Sequence, residues 1–206
     1  MIGIGRSDRS QASAAVLAAA TTKQLSVLHT VAGTVAFAAL TFLGAHIYVP
    51  LQPVPITMQT LFVLLAGAAV GGRIGGFSQL LYVGIGAAGL PVFAGGTAGI
   101  GVLAGPTGGY LASFVVAPLV VSALIRRSGS IAGQTGAFVA GTIVIFVMGV
   151  SHLAAVYTHD LASALRFGLL PFIPGALVKI AAAVCIYRAG TAFSAGIRAR
   201  TAKRSA

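Results

Sequence analysis

Two carboxylates, four histidines and a lysine set inside an apolar run are the side chains of this 206-residue sequence most able to do chemistry. Catalysis by a carboxylate pair needs two acids placed together. Asp8 lies near the N-terminus and Asp160 stands between two apolar runs, so the sequence offers no such pair. Neither G-x-S-x-G nor H-E-x-x-H occurs, which removes the best-marked hydrolase and metalloprotease sites. His46, His152 and His159 are expected near one surface, with Asp160 beside the last. Their spacing fits no metal-ligand pattern, and they read as interfacial histidines with no metal. The Gly-rich run over residues 95–109 lacks the G-K-[ST] ending that places a lysine and a Mg²⁺-binding hydroxyl on a nucleotide. The sequence therefore reads as a non-enzyme without a cofactor.

Lys179 carries the most information. A charge inside an apolar span is costly and faces a cavity or a partner. It lies nine residues before Arg188, about 13 Å deep at a rise of 1.5 Å per residue. Pro171 and Pro174 precede it, and Pro174-Gly175 reads as a helix start or break. A lysine close to the free amides of a helix N-terminus makes a receptor for a carboxylate. The alternative is a lysine snorkelling to the surface. No acid in the spans is available to neutralise it, which favours the binding role.

The elements that position these groups follow from composition. The chain is 57% hydrophobic and 7% charged, with a mean hydropathy of +0.99. Soluble domains carry about 25% charged residues, so most of this surface faces hydrocarbon. The predicted fold class is an all-α integral membrane protein. A membrane helix needs about 20 apolar residues, and six candidate spans are read over residues 26–49, 56–72, 74–90, 109–125, 131–157 and 169–187. The second and fourth are marginal in length. Residues 1–25 and 191–206 are expected to be cytoplasmic tails flanking a membrane domain over 26–190. A signal-peptide reading of residues 1–23 is disfavoured, because the apolar part is short.

Orientation rests on Lys and Arg, which collect on the cytoplasmic side of short loops. With six spans, one side holds Arg6, Arg9, Lys23, Arg73, Arg126, Arg127, Arg188, Arg198, Arg200, Lys203 and Arg204, and the other holds only Arg166. Both termini are therefore expected in the cytoplasm. The net charge of +11 sits at the chain ends and in short gaps, without the basic stripe of a nucleic-acid binder. Residues 50–55 (PLQPVP), 91–108 and 158–168 then form the outer loops. They either line an outward-opening site or are ordinary mobile loops. Cys185 is expected to be a small buried hydrophobe. Ala32 and Ala36, with Gly44 on nearly the same face, form a small-residue stripe suited to close helix contact, within this bundle or with a partner.

Four stretches are similar to the BioY family of biotin transport proteins, the substrate-capture (S) components of energy-coupling factor (ECF) transporters. They are VPITMQTLFVLLAG (54–67), LLYVGIGAAGLPVFAGG (80–96), GPTGGYLASF (105–114) and PGALVK (174–179). The resemblance covers roughly residues 26–190 and implies six membrane helices, no nucleotide site and a place in a bacterial cell membrane. It implies biotin as ligand, with lipid, an energy-coupling transmembrane subunit and two ATPase subunits as partners, and no nucleic acid. It gives Ala32 and Ala36 the contact with the coupling subunit. Thr57 and Gln59 become candidates to bond the urea-like head of the ligand. Tyr82, Phe93 and Tyr110 become candidates to pack its apolar ring and chain, and Lys179 joins them as a ligand contact. The family usually reads P-G-D-x-x-K, whereas Ala176 stands at the acid position here. Ala176 lies three residues before Lys179 on the same helix face. The other readings are capture of a different vitamin-like carboxylate, a membrane subunit without a ligand, and an intramembrane enzyme with an unfamiliar site.

Overall fold

A computed structural model describes residues 7–204. Of the predicted tails, residues 1–6 with Arg6, and 205–206, lie outside the described residues. The chain is an all-α multi-pass membrane protein apart from one two-residue ladder. Its long helices are α1 (Ser7–His46), α5 (Gly108–Ile125), α6 (Ile131–Leu153) and α8 (Ile173–Arg204). The shorter ones are α2 (Gln59–Ala69), α3 (Gly72–Ala87), α4 (Ile100–Ala104) and α7 (Leu161–Gly168). Among the described residues, four helical stretches are long and apolar enough to cross a membrane: Gln24–His46, Gly108–Ile125, Ile131–Thr158 and Leu161–Thr201.

The short α2 has a physical cause. After α1 the chain forms β1 (Tyr48–Val49) and β2 (Ile56–Thr57), paired antiparallel with Tyr48 opposite Thr57. Pro50, Pro53 and Pro55 lie between the strands, and proline cannot donate to a ladder. Ile56 and Thr57, expected in a span, are drawn into this ladder instead. The Met58 N–H then bonds the Gly44 and Ile47 carbonyls at 3.1 and 3.0 Å, and α2 begins at Gln59. This non-helical segment lines a cavity.

Helix α5 packs against α2, α3, α4 and α6. Its Pro118 is where α2 and α3 both come close. A Cβ on Gly67 of α2 would fall 2.7 Å from the Pro118 Cα, and one on Gly75 of α3 would fall 2.9 Å from its Cβ. Glycine at both positions lets three backbones meet. The core between them is closed by Val63, Leu64, Ala117, Val121 and Phe138. The polar groups it includes are partnered. Thr41 of α1 donates to Gln79 of α3 at 3.1 Å, and Gln79 donates to Ser78 at 3.1 Å. Among the described residues, no buried side-chain polar atom lacks a partner.

Three expectations change. Residues 158–168 are not a plain loop: Asp160 caps α7 by accepting from the Ser163 N–H at 2.7 Å. Hydrogen bonding by Ser163, side chain and then backbone, holds that carboxyl below the usual range. Cys185 is exposed on α8, because the neighbouring Ala183 and Val184 take the inward face. Gly44 is not on the Ala32/Ala36 face. Ala32 and Ala36 are exposed, whereas Gly44 is buried, and a Cβ there would sit 2.9 Å from the Gln59 nitrogen. The eight residues from Ala36 to Gly44 turn a helix by about 80° beyond two full turns.

Candidate functional site

A cavity of about 530 Å³ lies where the two longer early connections meet α5, α6 and the start of α8. Such a volume falls in the range of about 300–1,000 Å³ usual for small-molecule sites. The proline segment supplies Pro50–Pro55 as one wall. The connection after α3 supplies Phe93, Thr97 and Val102. Helices α5 and α6 supply Tyr110, Phe114, Ile145 and Phe146, and Phe172, Ala176 and Lys179 close the remaining side. Most of this lining is apolar, with a small polar group at Thr57, Gln59, Thr60 and Lys179.

The polar group is a continuous hydrogen-bonded chain. Lys179 is 8% exposed. Its ammonium donates to the Thr57 carbonyl at 2.7 Å and to the Thr60 hydroxyl at 3.0 Å. An ammonium has three donors, so one N–H remains without a protein partner. The Thr57 hydroxyl donates to Gln59 Oε1 at 2.8 Å. Gln59 Nε2 donates to the Tyr82 hydroxyl at 2.6 Å, and Tyr82 donates to the Val92 carbonyl at 2.9 Å. The chain thus joins α8, β2, α2, α3 and the connection that follows α3. Helix α8 begins at Ile173, after a 3₁₀ turn over Leu170–Phe172, so Pro174 lies in its first turn as its sequence suggests.

The aromatic side is held as firmly. The Tyr110 hydroxyl donates to the Gly168 carbonyl at 2.7 Å, and its ring stacks on Phe172 with centroids 6.3 Å apart. Gly149 of α6 leaves the slot for that ring: a Cβ there would overlap the Tyr110 ring. His152 lies 3.0 Å from the Gly105 carbonyl and fastens the end of the second connection.

Of the residues named from sequence, the fold brings Thr57, Gln59, Phe93, Tyr110 and Lys179 onto one cavity, with Ala176 beside them. Tyr82 is not on the cavity surface; it stands behind Gln59 and meets Phe93 edge to face at 5.7 Å. Ala32 and Ala36 are remote, on the open face of α1. Sequence reasoning missed Thr60, whose signal was a second hydroxyl close after Thr57 in an apolar run. It also missed Phe172, hidden between two prolines. Among the described residues no group of three His, Cys, Asp or Glu side chains is placed to hold a metal.

A multi-pass helical protein with a loop-covered, largely apolar cavity and a buried cationic corner belongs to the class of membrane proteins that capture small molecules. The comparisons narrow that class. The BioY family model matches residues 13–195, and the chain belongs to that family. It is 41% identical over 150 residues to the biotin transporter BioY of Thermotoga maritima, covering 73% of this chain and 88% of that one. The probable biotin transporter BioY of Pyrococcus horikoshii is likewise 41% identical over 150 residues, with the same coverage. The crystal structure of the S-component for biotin from an ECF-type ABC transporter is similar over 79% of this chain and 90% of that chain. Its TM-score is 0.73 at 25% identity.

Proposed function

We propose that this protein is the biotin-binding S component of an ECF-type transporter and serves biotin uptake as a multi-pass protein of the cell membrane. It binds a substrate and performs no catalysis. The observation that carries this reading is the cavity of about 530 Å³ with one polar corner, Thr57, Gln59, Thr60 and Lys179, in a chain of the BioY family. Biotin offers the matching chemistry: an apolar bicyclic ring and chain, with a ureido head that both donates and accepts hydrogen bonds.

The geometry of the polar corner supports one orientation of the ligand. Lys179, Thr57 and Gln59 are linked at 2.7 and 2.8 Å, so they form one corner and meet one end of biotin. That corner holds a free ammonium N–H together with an amide that can still donate and accept. A ureido group uses both kinds of partner, whereas a carboxylate only accepts. The ureido head therefore takes this corner, and Phe93, Tyr110 and Phe172 pack the ring and chain. Tyr82 acts through Gln59. Capture of another carboxylate remains the second reading, supported by Ala176 beside Lys179.

The finer organisation is inferred along the same lines. Six crossings over residues 26–190 put both termini, and the tails 1–25 and 191–206, in the cytoplasm. Ala32 and Ala36 form the face for the energy-coupling transmembrane subunit, which joins two ATPase subunits. Their exposure on α1 supports that face. The test of function is direct. Protein purified from cells grown with biotin should release it on denaturation, as read by mass spectrometry. A different released acid would favour the second reading, and no released ligand together with no added-biotin binding would overturn the first.

A further inference from the structure

Tyr82 is almost wholly buried, bears a hydroxyl at the heart of the polar corner, and yet is absent from the cavity wall. Its hydrogen bonds explain why. The Val92 carbonyl can only accept, so the single phenolic hydrogen of Tyr82 is committed to it at 2.9 Å. Toward Gln59 the phenol oxygen can then only accept. The group 2.6 Å away must be the amide N–H₂, and Gln59 Oε1 is turned to the Thr57 hydroxyl. A flipped amide would set two acceptors against each other, or strip the Val92 carbonyl of its donor. A buried group left unpaired in this way is destabilised. Donation thus runs one way, from Gln59 to Tyr82 to the second connection. The same connection carries Phe93, which packs on the Tyr82 ring and lines the cavity.

The geometry points to Tyr82 as a positioning residue: through it, the backbone of the connection after α3 fixes which atoms of the Gln59 amide face the ligand head. Tyr82 touches no ligand. It sets the donor and acceptor order that Gln59 presents, and so sets discrimination at the ureido end. This inference rests on the reading that Gln59 meets that end.

The test measures binding of biotin and of 2-iminobiotin, in which an imine nitrogen replaces the ureido oxygen. The proteins are the wild type, Tyr82→Phe, Gln59→Ala and the double variant. Tyr82→Phe keeps the ring on Phe93 and removes only the hydroxyl. It should weaken biotin binding by about 3- to 10-fold, the scale of one neutral hydrogen bond, and narrow the preference for biotin over the imine by a similar factor. The double variant should bind like Gln59→Ala alone, since Tyr82 has nothing left to orient. Gln59→Glu, which puts an oxygen where the relay requires an N–H, should lose the preference without touching Tyr82. Additive losses, or an unchanged preference in Tyr82→Phe, would overturn the inference while leaving Gln59 on the ligand. Wild-type binding by Gln59→Ala would remove Gln59 from the ligand and the inference with it.

Discussion

Lys179 has two duties that a mutation separates by ligand. It holds the Thr57 carbonyl and the Thr60 hydroxyl, and it keeps one N–H for the cavity. Lys179→Met preserves the buried stem and removes all three donors. A hydrogen bond from a charged donor contributes roughly 1.5–3 kcal/mol, so biotin affinity should fall on the order of 10- to 150-fold. With the ureido head at this corner, biotin and its uncharged amide should lose affinity alike in a titration by calorimetry. A loss confined to biotin would instead put the carboxylate at Lys179. Ala176 offers the converse change. It shares the cavity wall with Lys179, and Ala176→Asp would add an acceptor for a ureido N–H beside the ammonium. Binding roughly tenfold tighter, near 1.4 kcal/mol, is expected. Lost binding would say that the cavity is shaped for another ligand. Much of this corner was legible beforehand. A lysine in an apolar run with no acid in reach announces a cavity, and Thr57 and Gln59 stand out below a proline segment. Thr60 and the one-way relay were not legible, because a hydroxyl in an apolar stretch more often bonds its own helix, as Thr142 does to the Phe138 carbonyl at 2.9 Å.

Helix α1 shows two faces of small residues with opposite consequences. Gly33 faces the junction of α2 and α3, where a Cβ would meet Cγ2 of Ile74 on α3 at 3.1 Å and Cγ1 of Val70, at the end of α2, at 3.3 Å. Ala32 and Ala36 are exposed. Gly33→Leu should therefore overpack the α1–α3 contact and cost about 1–3 kcal/mol, seen as a lower melting temperature and weaker biotin binding. Ala32→Leu with Ala36→Leu should leave both unchanged and abolish uptake by cells, because only an approaching partner helix meets the added bulk. Impaired binding in that pair would make the face a packing surface of this bundle. Which small residues look inward was not readable from spacing. Spacing groups Gly44 with the alanines, whereas in the fold it receives the start of α2. Four of the six predicted spans survived, among the described residues, as stretches long and apolar enough to cross a membrane, because long apolar runs are hard to misread. The ends of α2 and the existence of α7 did not. A β-ladder took two residues from α2, and an eight-residue helix is too short to register as a span. The legible trace of α7 was Asp160 ahead of Leu161, Ala164 and Leu165, an N-cap followed by one apolar face.

At the scale of the whole molecule, length and charge point the same way. Helix α1 has 40 residues, about 60 Å at 1.5 Å per residue, against a hydrocarbon core of about 30 Å. Its apolar stretch is the 23 residues Gln24–His46, so residues 7–23 before it should stand outside the core. Helix α8 runs on past Arg188 to Arg204, and its last turns carry Arg198, Arg200, Lys203 and Arg204. Both overhangs are basic. Anionic lipid on the cytoplasmic leaflet attracts such segments by about 1 kcal/mol per charge near the surface, and basic residues resist translocation. The two overhangs should therefore share the cytoplasmic side, which requires an even number of crossings. Helices α2 and α3, of 11 and 16 residues, must then complete their crossings with non-helical backbone, the former through the proline segment that walls the cavity. Cysteine labelling decides the matter. The native Cys185 is exposed, so the series belongs on a Cys185→Ala background. Cysteines at Gly129 and Gly196, where a Cβ meets open space, should react with a membrane-impermeant maleimide only after the cells are opened. Cysteines at the exposed Gln52, Thr97 and Ala162 should react in intact cells, and excess biotin should slow the reaction at Gln52 and Thr97, which line the cavity, but not at Ala162. Labelling of Gly196 and Ala162 from one side would break the six-crossing arrangement, and labelling of Gly129 in intact cells would invert it.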